Sequence, residues 1–241
     1  MAAGPGISVS IDRKQFGAGE PLFAGFELEI AGGSVLAITG SSGVGKSTLL
    51  HMIAGIDRDF EGRIEIGGKP AQLAAASGFV PQDARLLPWL AVARNVGAIA
   101  PELSRGAIEG LLARVGMRGA GTLFPNQLSG GMLRRVALAR ALATNSALLL
   151  LDEPFVSLDP PLAREMMALL EDIIETSAPT VVLVTHSPEH ATQLADKVVV
   201  LSGRPAEIQM SLSSPRRRTD DMAAELAGHG ERDAALSGHS R

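Results

Sequence analysis

Ser34-Val35-Leu36-Ala37-Ile38-Thr39 runs directly into Gly40-Ser41-Ser42-Gly43-Val44-Gly45-Lys46-Ser47-Thr48, and Leu49, Leu50 and Ile53 follow. The first run is apolar without alternation, the pattern of a strand buried on both faces of a parallel sheet. The last three residues repeat at helical spacing. A glycine-rich turn that leaves a strand, opens a helix and ends in Lys-Ser-Thr is the context of a phosphate-binding loop. Its glycines let the backbone curl until successive N–H groups point into one concavity, at the positive end of the helix dipole. In that reading Lys46 reaches the β- and γ-phosphates, Ser47 puts its hydroxyl on Mg²⁺, and Thr48 supports the α/β-phosphate region. A turn that merely joined strand to helix would not require Lys-Ser-Thr at those offsets.

Outward from this loop, Ala147–Leu151, Thr180–Thr185 and Lys197–Leu201 are further aliphatic runs, each ending in polar residues or glycine. Helical periodicity lies between them, with Leu162, Met166, Leu169, Leu170, Ile173 and Ile174 after Pro161. Strand, polar turn, helix, strand predicts an α/β fold with a mostly parallel sheet. The N-terminal thirty residues differ, because Ile7–Ile11 and Phe26–Ile30 alternate with period two. They predict an antiparallel β subdomain with one wet face. Residues about 86–143 read as an inserted helical subdomain, carrying Ile108, Leu111, Leu112 and Val115, then Met132, Val136, Ala139 and Ala143. Residues 1–212 therefore read as a single domain. Residues 213–241 turn polar, with Arg216-Arg217-Arg218 followed by a Gly/Ala/Asp/His-rich end, and read as a poorly ordered tail without assigned function.

Composition narrows the possibilities. Of 241 residues, 46% are hydrophobic and 20% charged, enough apolar material for a large core. Lys+Arg 22 against Asp+Glu 26 gives a net charge of -4, which argues against a nucleic-acid partner. The absence of cysteine removes disulfides and thiol chemistry and is consistent with a reducing compartment. No run approaches the roughly 20 apolar residues needed to cross a bilayer, and no basic-then-apolar leader opens the chain.

A second set of residues carries chemistry. Leu148-Leu149-Leu150-Leu151-Asp152-Glu153 is a hydrophobic strand presenting carboxylates at its C-terminal end, where ligands of open α/β sheets sit. Asp152 is the candidate Mg²⁺ partner, and Glu153 the group that polarises an attacking water. Asp-Glu after a strand is ordinarily a solvated pair; beside a phosphate loop the catalytic reading gains weight. Leu128-Ser129-Gly130-Gly131-Met132 precedes a helix, with Ser129 as N-cap. Alone it would be an ordinary capped turn. In a chain that already has a phosphate loop, it offers a second anion cradle with no obvious use unless it serves a neighbouring copy.

In their order along the chain, from about Ile7 to Ile208, these residues resemble the ATP-binding subunits of ABC transporters. Gly40–Thr48 resembles the Walker A loop, Gln82 in Val80-Pro81-Gln82 the Q-loop, and Leu128–Met132 the signature motif. Leu148–Glu153 resembles Walker B, Ser157-Leu158-Asp159 the D-loop, and His186 the switch histidine. Phe16 stands where the family has an aromatic, often Tyr, that stacks on adenine; as an ordinary core residue it would instead be buried. The resemblance implies a homodimer sandwiching each ATP and Mg²⁺ between Walker A of one copy and the signature segment of the other. Ser129, Gly131 and His186 would contact the γ-phosphate. Gln82 would touch Mg²⁺ and the attacking water.

Gln82-Asp83-Ala84-Arg85-Leu86-Leu87-Pro88-Trp89-Leu90, followed by Asn95, is similar to the nitrate/sulfonate/taurine importer group, with departures at Pro81 and Ala84. That similarity implies two transmembrane permease subunits, an extracytoplasmic solute-binding protein acting indirectly, and a peripheral place on the cytoplasmic face of the inner membrane. It also makes Leu87 and Trp89 candidate interface anchors, against the other reading of Trp89 as a helix-capping core residue. The competing functions are an ABC ATPase for lipoprotein extraction or cell-wall remodelling, a soluble nucleic-acid or ribosome-associated ATPase, and a P-loop kinase. A kinase would leave Leu128–Met132 and His186 without a role.

Overall fold

The computed structural model describes residues 3–74, 77–156 and 158–213. In chain order the strands and α-helices are β1 Ile7–Lys14, β2 Phe23–Ile30, β3 Val35–Gly40, α1 Lys46–Ile53, β4 Glu61–Ile66, β5 Lys69–Pro70, β6 Gly78–Val80, α2 Val92–Gly97, α3 Arg105–Arg114, α4 Gly130–Ala143, β7 Leu148–Asp152, α5 Pro160–Ser177, β8 Thr180–Val184, α6 Pro188–Leu194, β9 Lys197–Ser202 and β10 Glu207–Ser213. The chain divides into two compact units, one of Pro5–Ala74 and the segment from Thr180, the other of Met1–Gly4 and Ala75–Pro179.

In the first unit β1 runs antiparallel to both β2 and β4, with Val9 opposite Leu28 on one side and Ile64 on the other. The period-two pattern decides which face is buried: Ile7, Val9 and Ile11 point inward while Ser8 and Ser10 stay partly wet. Phe23 and Phe26 meet edge to face at 5.1 Å between ring centroids, an arrangement favoured by the ring quadrupoles. β3 pairs in parallel with β8 and β9, and β10 closes that edge antiparallel to β9. β8 is buried throughout and β9 over its four central residues, as their unbroken aliphatic runs require. β10 is among the strands, with β4, β5 and β6, that the sequence reading missed. Ile208, Met210 and Leu212 alternate with polar residues along it, and most of its residues are exposed, as an edge strand allows.

In the second unit β6 and β7 pair in parallel, with Val80 opposite Leu151. The expected helical insertion is present as α2, α3 and α4, joined through short 3₁₀ turns at Ala120–Thr122 and Pro125–Gln127. Leu112, Val115, Val136, Ala139 and Ala143 are buried, on the faces their spacing predicts. α5 begins behind an Asp159 cap with Pro160 and Pro161 in its first turn, where a missing N–H is harmless. It buries Met166, Met167, Leu170, Ile173 and Ile174 along one stripe. The expected tail at 213–241 lies outside the described residues, apart from Ser213, which ends β10.

Candidate functional site

In the first unit the phosphate-loop sequence forms the predicted strand-to-helix turn. Gly40 holds φ +137, and a Cβ there would lie 2.2 Å from the Leu201 carbonyl oxygen, so both the torsion and the space demand glycine. Gly45 is the N-cap of α1 and brings no capping side chain to the first-turn amides. Lys46 folds back across the loop, donating from Nζ to the carbonyls of Gly40 at 2.8 Å and Ser41 at 2.9 Å. Its ammonium therefore stays at the loop while Ser41, Ser42 and Gly43 are exposed and Val44 is buried beneath them. Ser47 and Thr48 lie half-buried in the first turn of α1.

The register of the parallel strands places a second expected residue nearby. Ile38 is opposite Val184, and the Thr185 amide donates to the Ile38 carbonyl at 3.1 Å. Gly40 and His186, each two residues further on, thus leave the sheet at the same C-terminal edge, where α/β sheets bind ligands. His186 is exposed. Ser187 then caps α6 by accepting from the His190 amide at 3.3 Å. Phe16 is 55% exposed, which overturns its reading as a core residue.

The second unit repeats this logic on its own strands. Val80 opposite Leu151 puts Gln82 and Glu153 at the same edge, two residues beyond the pair. Asp152, the last residue of β7, is 3% exposed. Glu153 is half-buried and holds φ 49, the left-handed region that non-glycine residues seldom enter. Arg134, on the second turn of α4, donates from Nη1 to the Glu153 carbonyl at 3.1 Å. Burial lowers the Arg134 pKa from the ordinary guanidinium value, with Asp83 and Glu153 acting in the opposite direction. The sequence reading missed Arg134. Nothing in its spacing separates it from a solvated residue on the polar face of α4; only the return of the chain at β7 brings a partner.

Ser129 caps α4 as expected, accepting from the Met132 amide at 3.3 Å. The two glycines after it differ. Gly130 is exposed, with open space where a Cβ would be, whereas a Cβ on Gly131 would lie 1.9 Å from Leu162 Cδ2 at the start of α5. Leu128 and Met132 are half-buried. Asp159 is exposed and caps α5, accepting from the Leu162 amide at 2.9 Å, and Leu158 is half-buried. Ser157 lies outside the described residues.

Asn95 in α2 is wholly buried and organises the segment before it. Its Oδ1 accepts from the Leu87 amide at 2.8 Å, while Nδ2 donates to the carbonyls of Leu87 at 3.1 Å and Leu90 at 2.8 Å. Trp89 is held outside this turn, 70% exposed. The helix-capping core reading of Trp89 is therefore wrong: the N-cap of α2 is Ala91.

Comparisons with known proteins bear on the family and the fold. The sequence profile of the family described as ABC transporter matches residues 23–156. The aliphatic sulfonates import ATP-binding protein SsuB 1 of Pseudomonas aeruginosa (strain UCBPP-PA14) is 43% identical, over 89% of this chain and 90% of its own. SsuB 2 of Pseudomonas syringae pv. tomato is 37% identical over 91% and 94% of the two chains. The corresponding SsuB of Bacillus licheniformis is 36% identical over 88% of each. Among solved structures, a dimeric post-hydrolysis state of the ATP-binding cassette MJ0796 bound to ADP and Pi superposes with a TM-score of 0.77 at 28% identity. That match covers 88% of this chain and 99% of the cassette.

Proposed function

Because the chain belongs to the ABC transporter family of ATPases, we propose that it is the motor subunit of a bacterial importer for aliphatic sulfonates or a similar small anion. Two copies would close on ATP, and the closure would move two permease subunits. The observation that carries this reading is the pair of cradles. One chain holds the Gly40–Thr48 loop and, on α4, an exposed Ser129-Gly130 N-terminus that its own phosphate loop leaves without a role. A second copy supplies that role, and the dimeric cassette found among solved structures supports it. The near full-length identity to sulfonate-import subunits supports the solute class.

In this mechanism residues 1–212 work as one ATPase domain. Phe16 stacks on the adenine, the Gly40–Thr48 amides and Lys46 hold the phosphates, and the other copy's Leu128–Met132 segment closes over the γ-phosphate. Glu153 takes the proton of the attacking water, Gln82 orients that water, and His186 contacts the γ-phosphate. Ser157, Leu158 and Asp159 line the dimer seam. The donor types suit Mg²⁺: a serine hydroxyl, a buried aspartate and a glutamine amide each offer a hard oxygen, and this cation takes the rest of its shell from phosphates and water. Ser47, Asp152 and Gln82 would hold it, and it would neutralise charge on the β- and γ-oxygens. Exposed Trp89 on the turn pinned by Asn95 is the anchor offered to the permease, with the solute-binding protein acting on the far side of the membrane. No helix among the described residues is long and apolar enough to span a bilayer, and the chain would sit peripherally on the cytoplasmic face of the inner membrane.

Substituting Glu153→Gln tests the motor. Turnover should fall on the order of 10²- to 10⁴-fold, the size of general-base assistance, and an ATP-bound dimer should accumulate in size-exclusion chromatography. A variant that stays monomeric at saturating MgATP rejects the sandwich. Mild-detergent extraction of the tagged chain tests the importer: a multi-span protein should co-purify at matching stoichiometry. Soluble partners or nucleic acid alone would move the ATPase to a non-transport role.

A further inference from the structure

Lys14, the last residue of β1, is 2% exposed, and an ammonium removed from water needs opposite charge and hydrogen-bond acceptors around it. It has both. Nζ donates to Asp57 Oδ1 at 3.0 Å and to the Asp59 carbonyl at 2.6 Å, with Asp57 Oδ2 at 2.9 Å and Asp59 Oδ2 at 3.7 Å. Asp57 also accepts from the Asp59 amide at 3.0 Å, so the two acidic residues form one braced turn. The same Nζ stands over the ring of Phe16, 4.6 Å from its centroid. Since Phe16 is 55% exposed and the lysine is not, the ammonium backs the ring from the protein side while the rest of the ring faces solvent. The short loop bearing the ring is tied down as well. Gln15 Oε1 accepts from Arg13 Nη2 at 2.7 Å, and Gln15 Nε2 donates to the Gly17 carbonyl at 2.9 Å.

We propose that Lys14 is a positioning residue for the nucleotide base: its ammonium, clamped by Asp57 and Asp59, holds the Phe16 ring from behind so that the open face is set for a purine. The proposal rests on the reading of Phe16 as the residue that stacks on adenine. Its physical basis has two parts. A ring already fixed loses less rotamer freedom when the base arrives. A cation on one face attracts the ring quadrupole and so favours a single ring orientation. Phenylalanine has no hydroxyl with which to anchor itself, and the buried ammonium supplies that anchor from below.

Equilibrium binding on the full chain tests this, with ATP and inorganic tripolyphosphate as the two probes. Tripolyphosphate reads the phosphate loop without a base. Lys14→Met keeps most of the stem volume and removes the charge. It should weaken ATP on the order of 3- to 10-fold, the size of a lost desolvated cation–π contact, while leaving tripolyphosphate unchanged. In steady state KM for ATP rises and kcat holds. Asp57→Asn, which loosens the clamp but retains the lysine, should shift ATP in the same direction and covers the case in which Lys14→Met does not fold. Phe16→Ala separates the proposal from its premise. If Phe16→Ala weakens ATP and neither Lys14→Met nor Asp57→Asn does, Lys14 has no positioning role. An equal loss for ATP and tripolyphosphate also overturns the proposal, by making the effect general. If Phe16→Ala binds ATP as the wild type does, the base-stacking reading fails and the proposal fails with it.

Discussion

Glu153 adopts a backbone conformation that costs a non-glycine residue about 1–2 kcal/mol, and its carbonyl is held in place by its neighbours. It accepts from Arg134 Nη1 at 3.1 Å and from the Val156 amide at 3.2 Å. The first of these links the helix that begins at the signature segment to the residue proposed as general base. Arg134→Met, which keeps the stem and loses the donor, should lower kcat about 10-fold through misplacement of the carboxylate, with a much smaller change in KM. Steady-state ATPase kinetics decide it; a kcat equal to the wild type would show that the backbone holds Glu153 without help.

At the scale of elements, α2 acts through one side chain. Its six residues are too few for a stable helix by themselves, and Asn95 ties them to the 87–90 turn by three strong hydrogen bonds. Asn95→Ala leaves the Leu87 amide and the carbonyls of Leu87 and Leu90, on half-buried residues, without those partners. It should cost about 3 kcal/mol in urea unfolding, the sum of one to three unsatisfied groups. The same variant should weaken capture of the permease, because Trp89 loses the turn that presents it. A full-stability variant would mean that water replaces the amide. The packing of α4 against α5 works differently, through the absence of a side chain: Gly131 lets Leu162 approach to where a Cβ would stand. A glycine in the signature segment thus has a packing role inside one chain in addition to the phosphate role proposed across two.

At the scale of the whole molecule, the sandwich predicts complementation. A dimer of one Ser129→Arg copy and one Lys46→Ala copy has one site with both defects and one with neither. Mixing these two variants, each inactive alone, should restore ATP turnover that neither shows by itself. Co-expression with separate affinity tags, followed by assay of the doubly purified dimer, reads this out. No recovery would mean that each site is completed within its own chain.

The phosphate loop, the strand ending in Asp152-Glu153, the capped turn at Ser129 and the all-buried strands were legible because each is local. Residues adjacent in the chain form the motif, and aliphatic runs declare burial on both faces without reference to a partner. The antiparallel character of the N-terminal strands followed in the same way from period two. Other features needed the folded chain, because their meaning lies in contacts across long separations. β10 alternates Ile208, Met210 and Leu212 with polar residues, but only its pairing with β9 places it at the edge of the sheet. Phe16 and Trp89 each had a core reading and a functional one in sequence; exposure, set by the elements around them, removed the core reading of both. Lys14 and Arg134 look like ordinary surface cations along the chain. Tertiary structure buries the first beside Asp57 and brings the second to the Glu153 carbonyl, since a charge acquires its role from the groups that replace its water.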